Sequence, residues 1–330
     1  MTKRISVIIP NYNGSKTIGK CLEAVFSSCF DSYEVVVVDD CSDDDSVEII
    51  GNFPCRLVRL DRHSGVSRAR NEGAGHSSGD ILFFIDADCL VRENTLALVN
   101  KTIIGNEHIV FGGSYTPLPY DRDFFSIFQS IFIYYSETRE KVPDYIASHA
   151  MVIERDLFLK HNGFPEVFLP IIEDIEFSHR LRKAGISLLI NSEILVTHIF
   201  NFNLLKSVRN AFRKSYYWTI YSIHNKDLTG DSGTASFGLK FNVISWFSAA
   251  LLTVLFLISR KSLYAVPVPF ILISDIIANR KLMAALYNEK GLFFSLFAAF
   301  YYIMIYPVPV GAGGFFGAAA YNLKYRTRGF

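Results

Sequence analysis

The stretch GDILFFIDADCL at residues 79–90 decides the fold, because an apolar run in it leads directly into two carboxylates, Asp86 and Asp88. Five apolar residues without a break predict a strand that is buried on both faces. Two carboxylates one residue apart repel each other unless a cation lies near them, and such oxygen ligands suit Mg²⁺ or Mn²⁺. For this motif alone, a solvated turn that merely ends the strand is the alternative.

The first half of the chain alternates strand and helix patterns around this stretch. Short apolar runs at residues 5–10, 34–38, 55–60 and 80–86 predict four strands, with helical patterns between them. This order predicts an α/β fold with a mostly parallel sheet covered on both faces. Ligands of such sheets bind beyond the carboxyl ends of the strands, where the polar residues of this chain collect.

Composition narrows the class of protein. Half of the 330 residues are hydrophobic and the formal net charge is +1, so part of the chain is expected in a membrane and no nucleic-acid partner is expected. The five cysteines contain no C-x-x-C pair, which favours a reduced, cytosolic face over a disulfide framework or a zinc site. The first strand is followed by neither a P-loop nor G-x-G-x-x-G, which disfavours P-loop enzymes and dehydrogenases.

Four segments in order carry a resemblance to a known family: SVIIPNYNGSKTIGKCLEAV, YEVVVVDDCSDDDS, GVSRARNEGAGHSSGDILFFIDAD and GFPEVFLPIIEDIEFSHRLRKAG. Together they resemble the family 2 glycosyltransferases, over about residues 5–198. The resemblance implies the GT-A fold, a nucleotide-sugar-binding, Rossmann-like mixed sheet. It also implies an inverting transfer of a sugar from a nucleotide diphosphate sugar.

The resemblance assigns roles to residues at the strand ends. Asp39 and the backbone around Pro10 would contact the nucleotide base or ribose. Asp86 would hold the ribose or the metal shell, and Asp88 would ligate the Mg²⁺ or Mn²⁺ ion that bridges the diphosphate.

The resemblance assigns further roles to residues of the helix after the third strand and of the second half of the domain. Arg70 and Asn71 would border the nucleotide, and Asp174 would be the general base, with Glu173 orienting the acceptor or the base. His198 would complete the metal shell. From the residues alone, a solvated helix start at the E-D pair and a structural strand-end histidine stay open.

The sequence says less about the acceptor than about the donor. The segment RNAFRKSYYW lacks the Q-x-x-R-W spacing of processive synthases, so transfer of a single sugar is expected. The E-D pair favours a hydroxyl of a lipid-linked or surface-glycan acceptor, because a phosphate acceptor is already ionised. A polyprenyl-phosphate glycosyl synthase, a non-catalytic nucleotide-sugar-binding membrane scaffold and a nucleotidyltransferase are the alternatives.

Apolar segments at the C-terminal end predict membrane helices. Residues 241–259 carry no charge and are long enough to cross a bilayer core of about 30 Å. Residues 262–278 form a shorter segment, and residues 292–320 a long one interrupted by Pro and Gly, so two to four segments are expected. Basic residues before the first segment and after the last, including Arg326 and Arg328, predict a multi-pass protein of the cell (inner or plasma) membrane with a cytoplasmic catalytic domain.

These patterns predict three regions. Residues 1–200 would be a GT-A catalytic domain, residues 201–240 a basic amphipathic juxtamembrane linker, and residues 241–330 the transmembrane region. The stretch at residues 123–135 places aromatic residues at helical spacing. It is either core or a helix in the membrane interface that guides a lipid-linked acceptor.

Overall fold

The computed structural model describes residues 2–166 and 169–325. Arg326 and Arg328, which contributed to the predicted membrane topology, lie outside the described residues. The chain forms two compact units. We call them the sheet unit, Met1–Arg122 with Glu137–Asn201, and the helical unit, Asp123–Ser136 with Phe202–Phe330.

The sheet unit is built on one sheet whose strand order is β3-β2-β1-β4-β7-β6-β8-β5. Its strands are β1 (Ile5–Asn11), β2 (Tyr33–Asp39), β3 (Arg56–Arg59), β4 (Ile81–Phe84), β5 (Cys89–Val91), β6 (Ile109–Tyr115), β7 (Met151–Glu154) and β8 (Ser187–His198). The four runs predicted as strands appear as β1 to β4, and these four strands pair parallel with one another. β7 pairs antiparallel with β4 and β6, β5 pairs antiparallel with β8, and β6 and β8 are parallel, so the sheet is mixed.

The directions of the strands bring chemistry-bearing residues to one edge of the sheet. β1, β2, β4, β6 and β8 all end there, and the antiparallel strands β5 and β7 begin there. Residues after β4, at the end of β8 and before β7 therefore meet, although they are far apart in the chain. The apolar residues of β1, β2 and β4 are buried, which keeps these strand ends in place.

Thirteen α-helices are described: α1 (Ile18–Phe26), α2 (Ser46–Ile50), α3 (Val66–Gly75), α4 (Thr95–Ile103), α5 (Phe124–Thr138), α6 (Arg155–Lys160), α7 (Glu173–Lys183), α8 (Leu204–His224), α9 (Phe237–Ser259), α10 (Ser262–Ala265), α11 (Pro267–Ala278), α12 (Arg280–Phe300) and α13 (Pro307–Ala320). A 3-10 turn, Ser148–Ala150, precedes β7, and π-helical turns at Tyr301–Ile305 and Tyr321–Tyr325 follow α12 and α13. The predicted linker region thus contains the 21-residue helix α8.

By length and composition, two helical stretches of the described chain could cross a membrane: α9 and the 46-residue stretch Arg280–Tyr325. The second is broken at Gly291, whose φ of 75° lies in the left-handed region that favours glycine. The apolar stretch Ser262–Ala278 is shorter. Large apolar side chains are exposed on these helices, with Ile258 77% and Phe293 82% exposed.

The aromatic stripe of α5 is core of the helical unit. Phe128 and Phe132 are buried, and their rings pack against Tyr302 and Tyr306 at centroid distances of 5.8–6.4 Å. Of the two interpretations that the spacing left open, the structure therefore favours the core for these two residues.

Candidate active site

The two aspartates of the opening stretch form a tight turn between β4 and β5. β4 is buried along its whole length, and the Cys89 amide then donates to the Asp86 carbonyl over 3.0 Å. The Ile199 amide donates to the Asp88 carbonyl over 2.9 Å and ties the turn to the end of β8. The buried strand and these two hydrogen bonds therefore position the carboxylate turn at the edge of the sheet.

Arg70 of α3 links this turn to the start of α7. Its side chain is 3% exposed, and it donates from Nη2 to Asp86 Oδ1 over 2.7 Å and from Nη1 to Glu173 Oε1 over 2.8 Å. Burial alone would raise the pKa of Asp86, but the adjacent guanidinium brings it below its ordinary value. Arg70 thus forms ion pairs with both Asp86, predicted on the donor side, and Glu173, predicted on the acceptor side.

Asp174 lies in the first turn of α7 beside this ion pair. Its Oδ2 accepts from the Ser148 amide over 3.2 Å, and its Oδ1 accepts from the Ile175 amide over 2.9 Å. Burial and the neighbouring charge of Glu173 raise the pKa of Asp174 to about 7. A carboxylate with a pKa near neutrality is a stronger base than an ordinary aspartate, which suits proton abstraction.

Asp88, Cys89 and His198 form a group that could hold a metal ion. Asp88 Oδ1 lies 3.4 Å from His198 Nε2, and one donor atom from each of the three residues lies within 4.8 Å of the others. Burial, and after it the charge of Asp86, raises the pKa of Asp88 to about 7, so the ionised form of Asp88 is disfavoured at this position. A divalent cation would favour the ionised form, so these residues fit a metal ion.

Pro10 and Asp39 lie at the ends of the adjacent strands β1 and β2, where Pro10 pairs with Val38. Asp39 is fully buried, and its carboxylate accepts from Asn11 Nδ2 over 2.9 Å and from the Ser42 hydroxyl over 2.6 Å. Asp39 therefore fixes the loop after β2, and it lies at the edge of the sheet where the nucleotide is predicted to bind.

Asn71 follows Arg70 on α3 but turns to a different partner. Its side-chain amide donates to the Phe164 carbonyl over 2.8 Å and accepts from the Phe164 amide over 2.9 Å. It holds the loop that precedes α7, so its predicted place beside the nucleotide stays a prediction.

Sequence reasoning missed a buried pair between these groups, His149 and Glu137. His149 Nε2 lies 3.4 Å from Glu137 Oε2, and the imidazole stacks on Tyr115 at a centroid distance of 3.9 Å. Burial would lower the pKa of His149, but Glu137 raises it above its ordinary value. No motif or spacing connects residues 137 and 149, so only the folded chain shows this pair.

Comparison with known proteins gives a family for part of the sequence. The model of glycosyl transferase family 2 matches residues 6–158, a range that ends before Glu173, Asp174 and His198. Glycosyltransferase AglE of Haloferax volcanii is 40% identical over 117 residues, which are 33% of this chain and 38% of that relative. Glycosyltransferase GlyG of Streptococcus pneumoniae is 28% identical over 120 residues, which are 35% of this chain and 40% of that relative. The matched part thus spans well under half the length of these relatives.

Solved structures share the fold over nearly the whole chain. A mannosyltransferase from Pyrobaculum calidifontis, in complex with GDP-Man and Mn²⁺, matches with a TM-score of 0.59 and 16% identity over 98% of this chain and 88% of that one. Residues 1–349 of TarS from S. aureus match with a TM-score of 0.50 and 18% identity over 97% and 91%. The predicted GT-A fold is confirmed, and residues 6–158 of this chain are a glycosyl transferase family 2 domain.

Proposed function

We propose that the chain is a metal-dependent inverting glycosyltransferase that moves one sugar from a nucleotide diphosphate sugar to a hydroxyl of a lipid-linked or surface-glycan acceptor. The observation that carries this proposal is the ion-paired chain Asp86–Arg70–Glu173, with Asp174 beside it. It ties the start of α7, which carries Asp174, to the strand-end carboxylate Asp86, and this supports Asp174 as the base. A scaffold that only binds a nucleotide sugar has no use for such a base.

Asp174 is the proposed base. As the acceptor hydroxyl attacks the anomeric carbon, its proton moves to the Asp174 carboxylate, and a new carbon–oxygen bond forms. The bond from that carbon to the diphosphate breaks, and the diphosphate leaves with the electron pair. A single displacement of this kind inverts the anomeric centre. The amides of Ser148 and Ile175 hold the carboxylate in place during the transfer.

On the donor side, Asp88 and His198 would hold the metal ion, and Pro10 and Asp39 would border the nucleotide. A bound ion would stabilise the charge of the departing diphosphate, which then needs no protein acid. Asp86 stays ionised next to Arg70 and adds negative charge to the same turn. The Pyrobaculum calidifontis neighbour, solved with GDP-Man and Mn²⁺, supports a nucleotide sugar and a divalent ion as ligands.

A hydroxyl acceptor suits Asp174 better than a phosphate acceptor, because a phosphate already carries the charge that a base would generate.

We further propose that the sheet unit is the catalytic domain at the cytoplasmic face and that the helical unit anchors it in the cell membrane. The apolar helix α9 and the exposed basic residues Lys206, Arg209, Arg213 and Lys214 of α8 support this, since anionic lipids attract such residues.

The test begins with donor binding. Calorimetry on the detergent-purified chain with UDP, GDP, TDP and CMP sugars, with and without Mn²⁺ or Mg²⁺, should show one donor that binds only with metal. Asp88→Asn should abolish that binding, whereas Asp156→Asn, at a side chain that is 100% exposed on α6, should keep it. NMR of the product should show an inverted anomeric centre; retention, or binding that needs no metal, would contradict the proposal.

A further inference from the structure

Cys89 is placed to be a third ligand of the metal site. In the antiparallel pair of β5 and β8, Cys89 lies directly opposite His198. Side chains of directly opposed residues lie on the same face of a sheet. Cys89 Sγ lies 3.9 Å from Asp88 Oδ1, which itself lies 3.4 Å from His198 Nε2. Two ligands of one tetrahedral ion are separated by about 3.5 Å, so small shifts bring all three onto one ion.

The turn offers this site few oxygen donors. Asp86 Oδ1 is already paired with Arg70, which is buried, so Asp88 is the carboxylate of the D-x-D that joins the group. Within residues 2–166 and 169–325, this is the one group of three His, Cys, Asp or Glu residues whose donor atoms converge within 4.8 Å. Its donors are one oxygen, one sulphur and one nitrogen. Mg²⁺ prefers oxygen donors alone, whereas thiolate and imidazole favour Zn²⁺ and related ions.

Two of the three positions, Cys89 and His198, are held by contacts that need no ion. The backbone of Cys89 is fixed by its hydrogen bond to Asp86, and the ring of His198 packs edge-on to Tyr115 at a centroid distance of 4.7 Å. Cys89 is fully buried, while Asp88 is 39% exposed, so an ion enters past the carboxylate. Preorganised ligands lose little conformational entropy on binding.

We propose that Asp88, Cys89 and His198 form a mixed oxygen–sulphur–nitrogen site that binds thiophilic divalent ions such as Co²⁺, Zn²⁺ and Cd²⁺ more tightly than Mg²⁺. On binding, the Cys89 thiol releases its proton to solvent and its sulphur electron pair forms the bond to the ion, since a coordinating thiol is deprotonated by the metal. Mg²⁺ would leave the thiol protonated and would be held by Asp88, His198 and water. The inference rests on the proposed function, because it concerns the same metal site.

The test is a Co²⁺ titration of the full chain, stripped of metal with a chelator in detergent. Absorbance in the near ultraviolet reports the thiolate-to-cobalt charge-transfer band, and calorimetry reports the stoichiometry. The wild type should bind one Co²⁺ per chain with the band. Cys89→Ser should lose the band and bind Co²⁺ at least about tenfold more weakly. Cys55→Ser is the control, because the Cys55 thiol contacts the Ile50 carbonyl and not the carboxylate turn, and it should keep the band.

Two results would overturn the inference: Co²⁺ binding to the wild type without the band, or a band that persists in Cys89→Ser. Cys89→Ala supplies a second thiol-free variant should the serine variant unfold. Donor binding with Mn²⁺, measured on the same preparations, separates the two proposals. If donor binding stays metal-dependent while the wild type shows no band, the sulphur ligand is wrong and the proposed function stands. If no donor binds with any ion, the proposed function fails whatever the band shows.

Discussion

Removing the buried guanidinium of Arg70 should unfold the sheet unit at a much lower temperature. Arg70→Met keeps most of the apolar stem but leaves Asp86 and Glu173 without their shared cation. Removing one partner of a buried ion pair costs about 3–5 kcal/mol. For a unit of this size, each kcal/mol corresponds to about 2–4 °C, so the melting temperature should fall by roughly 6–20 °C. Thermal melts of the full chain in detergent measure this.

Arg68 on the same helix provides the control. It is half-exposed and pairs with Glu72 and with Glu166, the latter over 3.1 Å, and surface pairs of this kind contribute about 0–1 kcal/mol. Arg68→Met should therefore shift the melting temperature by less than about 4 °C. Equal shifts in the two variants would refute the argument that Arg70 is the buried link between β4 and α7.

Three further outcomes are expected. Burial raises the pKa of Asp174 to about 7, so the proposed base is protonated at lower pH. The rate of transfer at saturating donor should therefore fall about tenfold for each pH unit below 7. A rate that is flat down to pH 5 would exclude this base. Asn71→Ala leaves the backbone amide and carbonyl of Phe164 without their side-chain partner and should destabilise the chain by about 1–3 kcal/mol. An unchanged melting temperature would contradict the role of Asn71 in anchoring this loop. A membrane-impermeant maleimide should label the exposed Cys29 and Cys41 in inside-out vesicles only; labelling in right-side-out vesicles would reverse the proposed topology.

Strands β1 to β4 and the carboxylate turn were predictable because their signals are local. An unbroken apolar run of five residues such as 81–85 is typical of a short buried strand, and the polar side chains that follow such a strand lie at the edge of the sheet. Asp86, Asp88 and His198 could therefore be named as site candidates from their positions after apolar runs. The resemblance to the family then supplied their roles.

The contacts that connect these residues were not predictable, because they depend on how distant elements approach each other. Arg70 and Glu173 are 103 residues apart, and nothing in either helix pattern shows that their side chains meet. His149 and Glu137 carry no motif, so their pairing is visible only in the folded chain. The opposition of Cys89 and His198 likewise follows from the register of β5 and β8, which the sequence does not specify.

The most direct test of the central claim compares donor affinity with transfer rate in Asp174→Asn, which keeps the shape of the side chain but cannot accept the proton. If Asp174 is the base, donor affinity should stay within about twofold of the wild type, while transfer should fall by about 10²–10⁴-fold. Transfer at the wild-type rate in Asp174→Asn, with donor binding intact, would contradict the account.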